Sequence, residues 1–224
     1  MKKKVAVAMS GGVDSSLTAA LLIEQGYDVI GVTMTLSDES REAGGSTAVS
    51  DAKKVADALN IPHYVVNYHK KFKDDVIKYF ISEYAKGRTP NPCVRCNNTV
   101  KFGSLLKDCL ELGADCVATG HYARIEQDEK TGRYLLKKGL DVRKDQSYVL
   151  YTLTQDVLKH FILPLGNYSK EKTRELAGKM NLPVANKPES QEICFIPNDD
   201  YKAYLKAKAP HILKPGDIVD VNGN

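Results

Sequence analysis

The passage from Lys4 to Gly26 constrains the fold more than any other part of the chain. A short apolar run, Lys4 to Met9, meets the turn Ser10-Gly11-Gly12 and passes into a helical pattern of Leu17, Ala20, Leu21 and Ile23 that stops at Gly26. This predicts a strand, a tight glycine turn and a helix. The same alternation then repeats. Asp28 to Thr35 predicts a second buried strand, Ala52, Val55, Ala56 and Leu59 a second helix face, and His63 to Tyr68 a third strand. Helical stretches over Phe72 to Lys86 and Phe102 to Leu112 precede a strand at Cys116 to Thr119. Strands alternating with helices predict an α/β, Rossmann-like parallel sheet with helices on both faces.

After Gly120 the alternation stops. Ala123 to Gln127 and Arg133 to Lys137 flank a turn and predict a hairpin. Thr154 to Phe161, Lys170 to Met180 with Ser169 as N-cap, and Asp199 to Lys208 predict helices separated by prolines. The expected organisation is a nucleotide-binding core over residues 1–150 and a helical extension over 151–209 that carries Cys194. Residues 210–224 are expected to open a β-rich domain, with Ile218, Val219 and Val221 as a strand that the chain does not pair. No window approaches about 18 consecutive apolar residues, so no membrane segment is expected. Met1-Lys2-Lys3-Lys4 does not lead into a signal-peptide core, and the expected location is cytoplasmic. With 32 Lys+Arg against 28 Asp+Glu, the net charge of +4 permits a polyanionic partner without demanding one.

A glycine turn between a first strand and its helix is a phosphate site, because the backbone N–H groups approach closely and the helix N-terminus adds positive charge. The residues around these glycines exclude the two commonest types. A Walker A loop needs Lys-Ser/Thr where this chain has Val13-Asp14, and the dinucleotide fingerprint needs three spaced glycines. What remains, Ser10-Gly11-Gly12-Val13-Asp14-Ser15-Ser16, resembles the pyrophosphate loop of enzymes that split ATP between its α and β phosphates. No lysine lies in the loop, so Mg2+ is expected to supply charge, with Asp14 as a metal or loop-ordering carboxylate. The hydroxyls of Ser10, Ser15 and Ser16 are expected on the pyrophosphate.

Five cysteines in a chain with no export signal argue against a disulfide framework. Cys109 shares an apolar helix face with Leu105, Leu106 and Leu112, and Cys116 opens a buried strand, so both read as core. Cys93 and Cys96 follow Thr89-Pro90-Asn91-Pro92 in what reads as a proline-stiffened loop, and Cys194 lies in a second proline-bounded loop. A closed zinc site is disfavoured, since there is no second Cys-x-x-Cys and no paired histidines. Three such thiols suit a nucleophile with a partner thiol, or an iron–sulfur cluster with one iron open to substrate.

The loop Met9 to Ser16, Gly87-Arg88-Thr89-Pro90-Asn91-Pro92 with its cysteines, Ala118 to Arg124, Lys144-Asp145-Gln146-Ser147-Tyr148 and the Cys194 segment occur in one order. Together they resemble the tRNA-specific 2-thiouridylase family, which replaces the C2 oxygen of a tRNA wobble uridine with sulfur. The resemblance runs from about Lys3 to Asn224 and implies an adenine nucleotide alpha-hydrolase-like fold. It implies ATP at Ala8, Met9, Ser10, Gly11, Gly12, Val13, Asp14 and Ser15, with Met34 and Gly120 near the adenine and ribose. Adenylation of the uridine oxygen would release pyrophosphate. Cys194 would then carry sulfur from a cysteine desulfurase relay, and Cys96 would attack that persulfide. Lys144, Asp145 and Gln146 would contact tRNA. Many members of the family have aspartate where this chain has Cys93, and the third cysteine favours a [4Fe–4S] cluster on Cys93, Cys96 and Cys194 over the persulfide pair. Members continue beyond the point where this chain stops, into a β-rich region that helps hold tRNA. Other readings are an amidotransferase-type synthetase, which has no use for Cys96 with Cys194, and a nucleotide-binding module of little activity. His121 reads equally as a base or as a hydrogen-bonded loop residue. Lys137, Lys138, Arg143 and Lys144, with Tyr134 and Tyr148 nearby, read as a solvated face or as phosphate contacts.

Overall fold

A computed structural model describes residues 2–36, 46–189 and 193–213, together with 216–217, 219–220 and 222–223. Of the strand expected near the end, Ile218 and Val221 lie outside the described residues, and Val219 is in no strand.

Five strands form one parallel sheet: β1 (Lys4–Ala8), β2 (Asp28–Thr35), β3 (His63–Asn67), β4 (Cys116–Ala118) and β7 (Phe161–Ile162), in the order β3-β2-β1-β4-β7. Alternation along β1 sends side chains to both faces. Val5 and Val7 pack with Ala19 and Leu22 of α1 (Val13–Glu24) and with Val55 of α2 (Ser46–Ala58). Ala6 faces the other way, among Phe72, Val76, Phe80, Phe102 and Leu105. Helices therefore cover both faces, as the alternation predicts. A third cluster places Leu17, Ala20 and Leu21 of α1 against Leu165, Ala177 and Leu182, so α1 is enclosed on nearly all sides. Its polar residues consequently bond to their own helix. The Ser16 hydroxyl donates to Gly12 O at 2.8 Å and Thr18 to Asp14 O at 2.9 Å, both side chains being fully buried.

Two helical regions differ from the reading above. His69 to Ala85 is one continuous run made of α3 (His69–Phe72), a π-helical stretch Lys73–Ile77 and α4 (Lys78–Ala85). The second begins well before Phe102: α5 (Pro92–Cys96) leads through a π-helical stretch, Asn97–Ser104, into α6 (Leu105–Glu111). Asn91 caps it, its side chain accepting from Val94 N at 3.2 Å, and Pro92 takes the first helical position, where a missing N–H costs nothing. Cys93 and Cys96 thus stand on a helix, where the proline-rich spelling predicted a loop.

The hairpin forms as predicted, from β5 (Ala123–Gln127) and β6 (Tyr134–Lys138). The stretch Thr154 to Phe161, predicted as a helix, is instead α7 (Gln155–Leu158) followed by β7, which pairs with β4 through Val117–Phe161 and Ala118–Ile162. A strand of two residues is too short for any period to show. Next come α8 (Lys170–Lys179), capped by Ser169 accepting from Lys172 N at 3.1 Å, and α9 (Tyr201–Lys208). Phe195 and Tyr204 pack into the Phe72–Phe80 cluster, where Phe195 meets three rings edge-on at centroid distances of 5.4 to 5.6 Å.

Candidate active site

The sheet order reverses direction between β1 and β4, and the crevice beyond their carboxyl ends is where open α/β sheets bind ligands. The glycine turn occupies that crevice. Gly11 has φ +69°, and a Cβ there would lie 2.4 Å from Ala48 O, so this position requires glycine. From the β4 side Gly120 closes on the turn, where a Cβ would sit 2.9 Å from Ser15 N and 3.0 Å from the Asp14 backbone.

Within the turn Ser10 N donates to Ser15 Oγ at 3.1 Å, the two hydroxyls are 3.3 Å apart, and Ser15 Oγ reaches Gly12 O at 3.2 Å. Met9 N donates to Val32 O at 2.8 Å, and Met9 O accepts from Thr33 at 2.9 Å, which ties the turn to β2. Gly12 is the N-cap of α1, so Val13, Asp14 and Ser15 are its first turn. The free N–H groups there form an anion cradle. Ala8, Met9, Ser10, Gly11, Gly12, Val13, Asp14, Ser15 and Gly120 are therefore brought together, with the half-buried Met34 near the end of β2. Ser16 is not among them, because its hydroxyl is spent inside α1.

Sequence reasoning found no lysine in the turn, yet the fold supplies two from elsewhere. Lys170, at the start of α8, donates to both Asp14 carboxylate oxygens at 2.7 and 2.8 Å, and its side chain is only 9% exposed. Lys187 donates to Gly11 O at 3.1 Å and to Asp51 at 2.8 Å, and that ammonium holds the Asp51 carboxyl below its usual value. Tyr122 adds a third donor, its hydroxyl lying 2.8 Å from Asp14 Oδ1. Burial, with Asp14 beside it, pushes the Tyr122 phenol up. The Asp14 carboxylate thus orders the turn through three hydrogen bonds, one of the two roles expected for it. Lys170 and Lys187 lie 156 and 176 residues from their partners, and no local signal in the sequence marks them.

A charged chain continues outward from Lys170, which also pairs with Glu189 at 3.2 Å, while Glu189 accepts from Lys144 at 2.8 Å. Burial tends to raise the Glu189 carboxyl, but Lys144 and Lys170 bring it below its ordinary value. The neighbouring turn is held by its own side chains. Asp145 accepts from Gly139 N at 2.8 Å and from the Ser147 hydroxyl at 2.7 Å. Gln146 accepts from Tyr122 N at 3.0 Å and donates its own N–H to Tyr122 O at 2.9 Å. Of Lys144, Asp145 and Gln146, the lysine carries the cation, and the other two shape the turn and seat Tyr122. Nearby, Lys137 pairs with Glu126 and Arg143 with Glu171, and Tyr148 is 60% exposed.

Cys109 and Cys116 are buried as predicted. Cys93 is exposed and Cys96 buried on α5, while Cys194 is exposed as a residue beside the anchored Phe195. Burial pushes the Cys96 thiol up, with Lys101 opposing and Cys93 adding to it. Burial of the sulfur also pushes Cys194 up to about 12, with Cys96 the next contributor and Lys101 again opposing. Cys96 and Cys194 thus both lie under the influence of Lys101 and of Cys93. Among the described residues no group of three or more His, Cys, Asp or Glu side chains is gathered to hold a metal ion, so these cysteines do not fit a preset cluster site. His121 is buried with Nδ1 2.7 Å from the Thr119 hydroxyl, and burial pushes it down to about 3. It is a neutral, hydrogen-bonded residue rather than a base. No helix among the described residues is long and apolar enough to cross a membrane.

Residues 3–198 match the family model described as the tRNA methyl transferase HUP domain. The chain is similar to a tRNA-specific 2-thiouridylase MnmA 1 from Caldanaerobacter subterraneus, 57% identical over all of this chain and 64% of that protein. It is 56% identical to a tRNA-specific 2-thiouridylase MnmA from Carboxydothermus hydrogenoformans, over 99% of this chain and 63% of that one. The chain thus spans just under two thirds of the length of these relatives. Among solved structures, the fold is similar to the U34-tRNA thiolase NcsA from Methanococcus maripaludis, described with its [4Fe–4S] cluster. There the TM-score is 0.55 at 20% identity, covering 94% of this chain and 69% of that one.

Proposed function

The chain belongs to the tRNA methyl transferase HUP domain family, and from that premise we propose that it serves the ATP-dependent 2-thiolation of tRNA uridine. The observation that carries this reading is a lysine-backed glycine turn of the pyrophosphate type in one fold with Cys96 on α5 and with Cys194, whose thiol Cys96 helps to push up. ATP lies at Ala8 to Ser15, with Met34 and Gly120 toward adenine and ribose. Backbone N–H groups of the first α1 turn, with Lys170 and Lys187 behind them, face the β and γ phosphates. The C2 oxygen of uridine attacks the α-phosphorus, the bond to the β-phosphate oxygen breaks, and pyrophosphate leaves. Magnesium comes as the counter-ion of ATP and is not assigned to Asp14.

Sulfur replaces AMP in the second half. A cysteine desulfurase relay leaves a persulfide on Cys194. The Cys96 thiolate attacks the inner sulfur, a Cys96–Cys194 disulfide forms, and hydrosulfide is expelled. Hydrosulfide adds at C2 and AMP departs with the bond to oxygen. An external dithiol then reduces the disulfide by two electrons. A [4Fe–4S] cluster would need Cys93 as well; because the three cysteines are not gathered to hold a metal, no step runs through it. Lys144 is the tRNA-facing cation, with Asp145 and Gln146 holding its turn. The family relationship, together with the absence of a membrane-crossing helix among the described residues, supports a cytoplasmic location.

The test separates the two halves. With unmodified tRNA, the wild-type chain is expected to release pyrophosphate from ATP and, with a persulfide donor, to form 2-thiouridine detected by mass spectrometry. Cys96→Ser and Cys194→Ser are expected to lose thiouridine but keep pyrophosphate release. Thiouridine formed by either variant, or activity that tracks bound iron in the wild-type chain, would overturn the thiol-pair mechanism.

A further inference from the structure

Glu189 is placed between two sites that each take an anion. On one side it pairs with Lys170, which is itself bonded to Asp14 in the pyrophosphate turn. On the other it pairs with Lys144 at the turn proposed to face RNA. The Glu189 side chain is 27% exposed and the Lys170 side chain 9%, so the first pair is weakly screened and the carboxylate is poorly placed to exchange its partners for water. The position of the lysines is also fixed. The buried Asp141 accepts Lys170 N at 3.0 Å and Arg143 N at 3.1 Å, so one carboxylate pins the start of α8 to the turn that carries Lys144. The chain Lys144, Glu189, Lys170, Asp14 therefore alternates in sign along a rigid frame.

We propose that Glu189 is a shared counter-ion that sets the RNA site and the pyrophosphate site against each other, so that RNA on Lys144 weakens the hold on pyrophosphate. This rests on the functional reading above. An RNA phosphate that draws Lys144 away leaves Glu189 with Lys170 as its one ammonium among the described residues, and Glu189 then competes with the phosphates for Lys170. Occupying both anion sites strips Glu189 of both cations, a cost neither ligand bears alone. The coupling is reciprocal by linkage. Its consequence for catalysis is directional, since RNA in place favours departure of the pyrophosphate formed during adenylation.

The test uses the whole chain at one low, fixed ionic strength. Inorganic pyrophosphate is titrated calorimetrically with and without an unmodified tRNA anticodon stem-loop. In the wild-type chain the stem-loop is expected to weaken pyrophosphate by about fivefold or more, the lower end of ordinary allosteric coupling. In Glu189→Gln the factor is expected to fall to about one, and pyrophosphate alone to bind more tightly than in wild type. Glu175→Gln removes the same charge from the exposed side of α8, where it pairs with Lys172 and Lys179, and is expected to keep the wild-type factor. A factor of one in the wild type, or an equal factor in wild type and Glu189→Gln, overturns the inference. If the stem-loop does not bind the wild-type chain, the RNA reading fails. The Lys170 arm is then decided by pyrophosphate alone, and unchanged affinity in Glu189→Gln overturns it.

Discussion

Replacing Lys170 by Met removes the ammonium that both Asp14 oxygens accept from. Breaking a buried ion pair by deleting one member costs about 3–5 kcal/mol, because the remaining charge stays buried without its partner. Here Asp14 is 27% exposed and keeps the Tyr122 hydroxyl, which brings the expectation down to about 2–3 kcal/mol. For a chain of this size that is a fall in Tm of about 4–12 °C. The cause is separable from lost packing by a double-mutant cycle in urea followed by circular dichroism. Asp14→Asn alone leaves Lys170 with Glu189 and is expected to cost less than Lys170→Met. In the double variant no stranded carboxylate remains, so the two changes should interact by about 1 kcal/mol or more. Strict additivity, or an unchanged Tm in Lys170→Met, would refute the view that Lys170 neutralises the turn.

Three further outcomes follow from particular contacts. His121 is held near 3 in the folded chain against 6.5 when unfolded, so below 6.5 the unfolded state binds more protons and stability falls with pH. At pH 5 this amounts to about 2 kcal/mol relative to pH 7, and His121→Gln should lack that increment; an identical pH dependence would refute the assignment of a neutral buried ring. Gly120→Ala forces a Cβ to within 3.0 Å of the Asp14 and Ser15 backbone, and we expect ATP affinity by calorimetry to fall about tenfold with the fold retained. Phe195→Ala empties a ring packed against Phe72, Phe80 and Tyr204 and should cost about 3–5 kcal/mol by urea denaturation, with Phe195→Leu costing much less. Equal costs for the two would show that the aromatic cluster does not anchor the Cys194 segment.

Period and punctuation made the strand–turn–helix unit legible, because β1, α1 and β2 are local structures whose apolar spacing is fixed by burial on both faces. Family motifs made the thiol positions legible but not their setting: Pro92 reads as a loop residue unless Asn91 is recognised as the cap before it. The helix read from Phe102 likewise left out the first residues of the π-helical stretch that begins at Asn97. β7 escaped because two residues carry no period, and its pairing with β4 spans more than forty positions. Lys170, Lys187 and Glu189 escaped for a different reason. Each is an ordinary surface-type residue in sequence; the packing of α8 against α1 brings Lys170 to the turn, and Lys187 and Glu189 reach it from the segment beyond α8.

That packing also explains why a pyrophosphate turn without its own lysine is workable. Lys170 and Lys187 approach from outside the turn, bonded to Asp14 and Gly11, and leave the cradle of N–H groups open. The arrangement makes the site depend on α8 staying docked. Asp141 binds the first N–H of that helix, and Leu165, Ala177 and Leu182 pack it to α1, so nucleotide affinity is tied to the integrity of a segment that shares no motif with the turn. The thiols follow the same economy. Burial holds Cys96 and Cys194 in their neutral forms, and Lys101 is the cation that opposes it. Because the thiolate is the nucleophile, this keeps both sulfurs quiet until the surroundings change. In the proposed sequence Cys96 is the attacking thiolate, so its burial is what that step has to overcome.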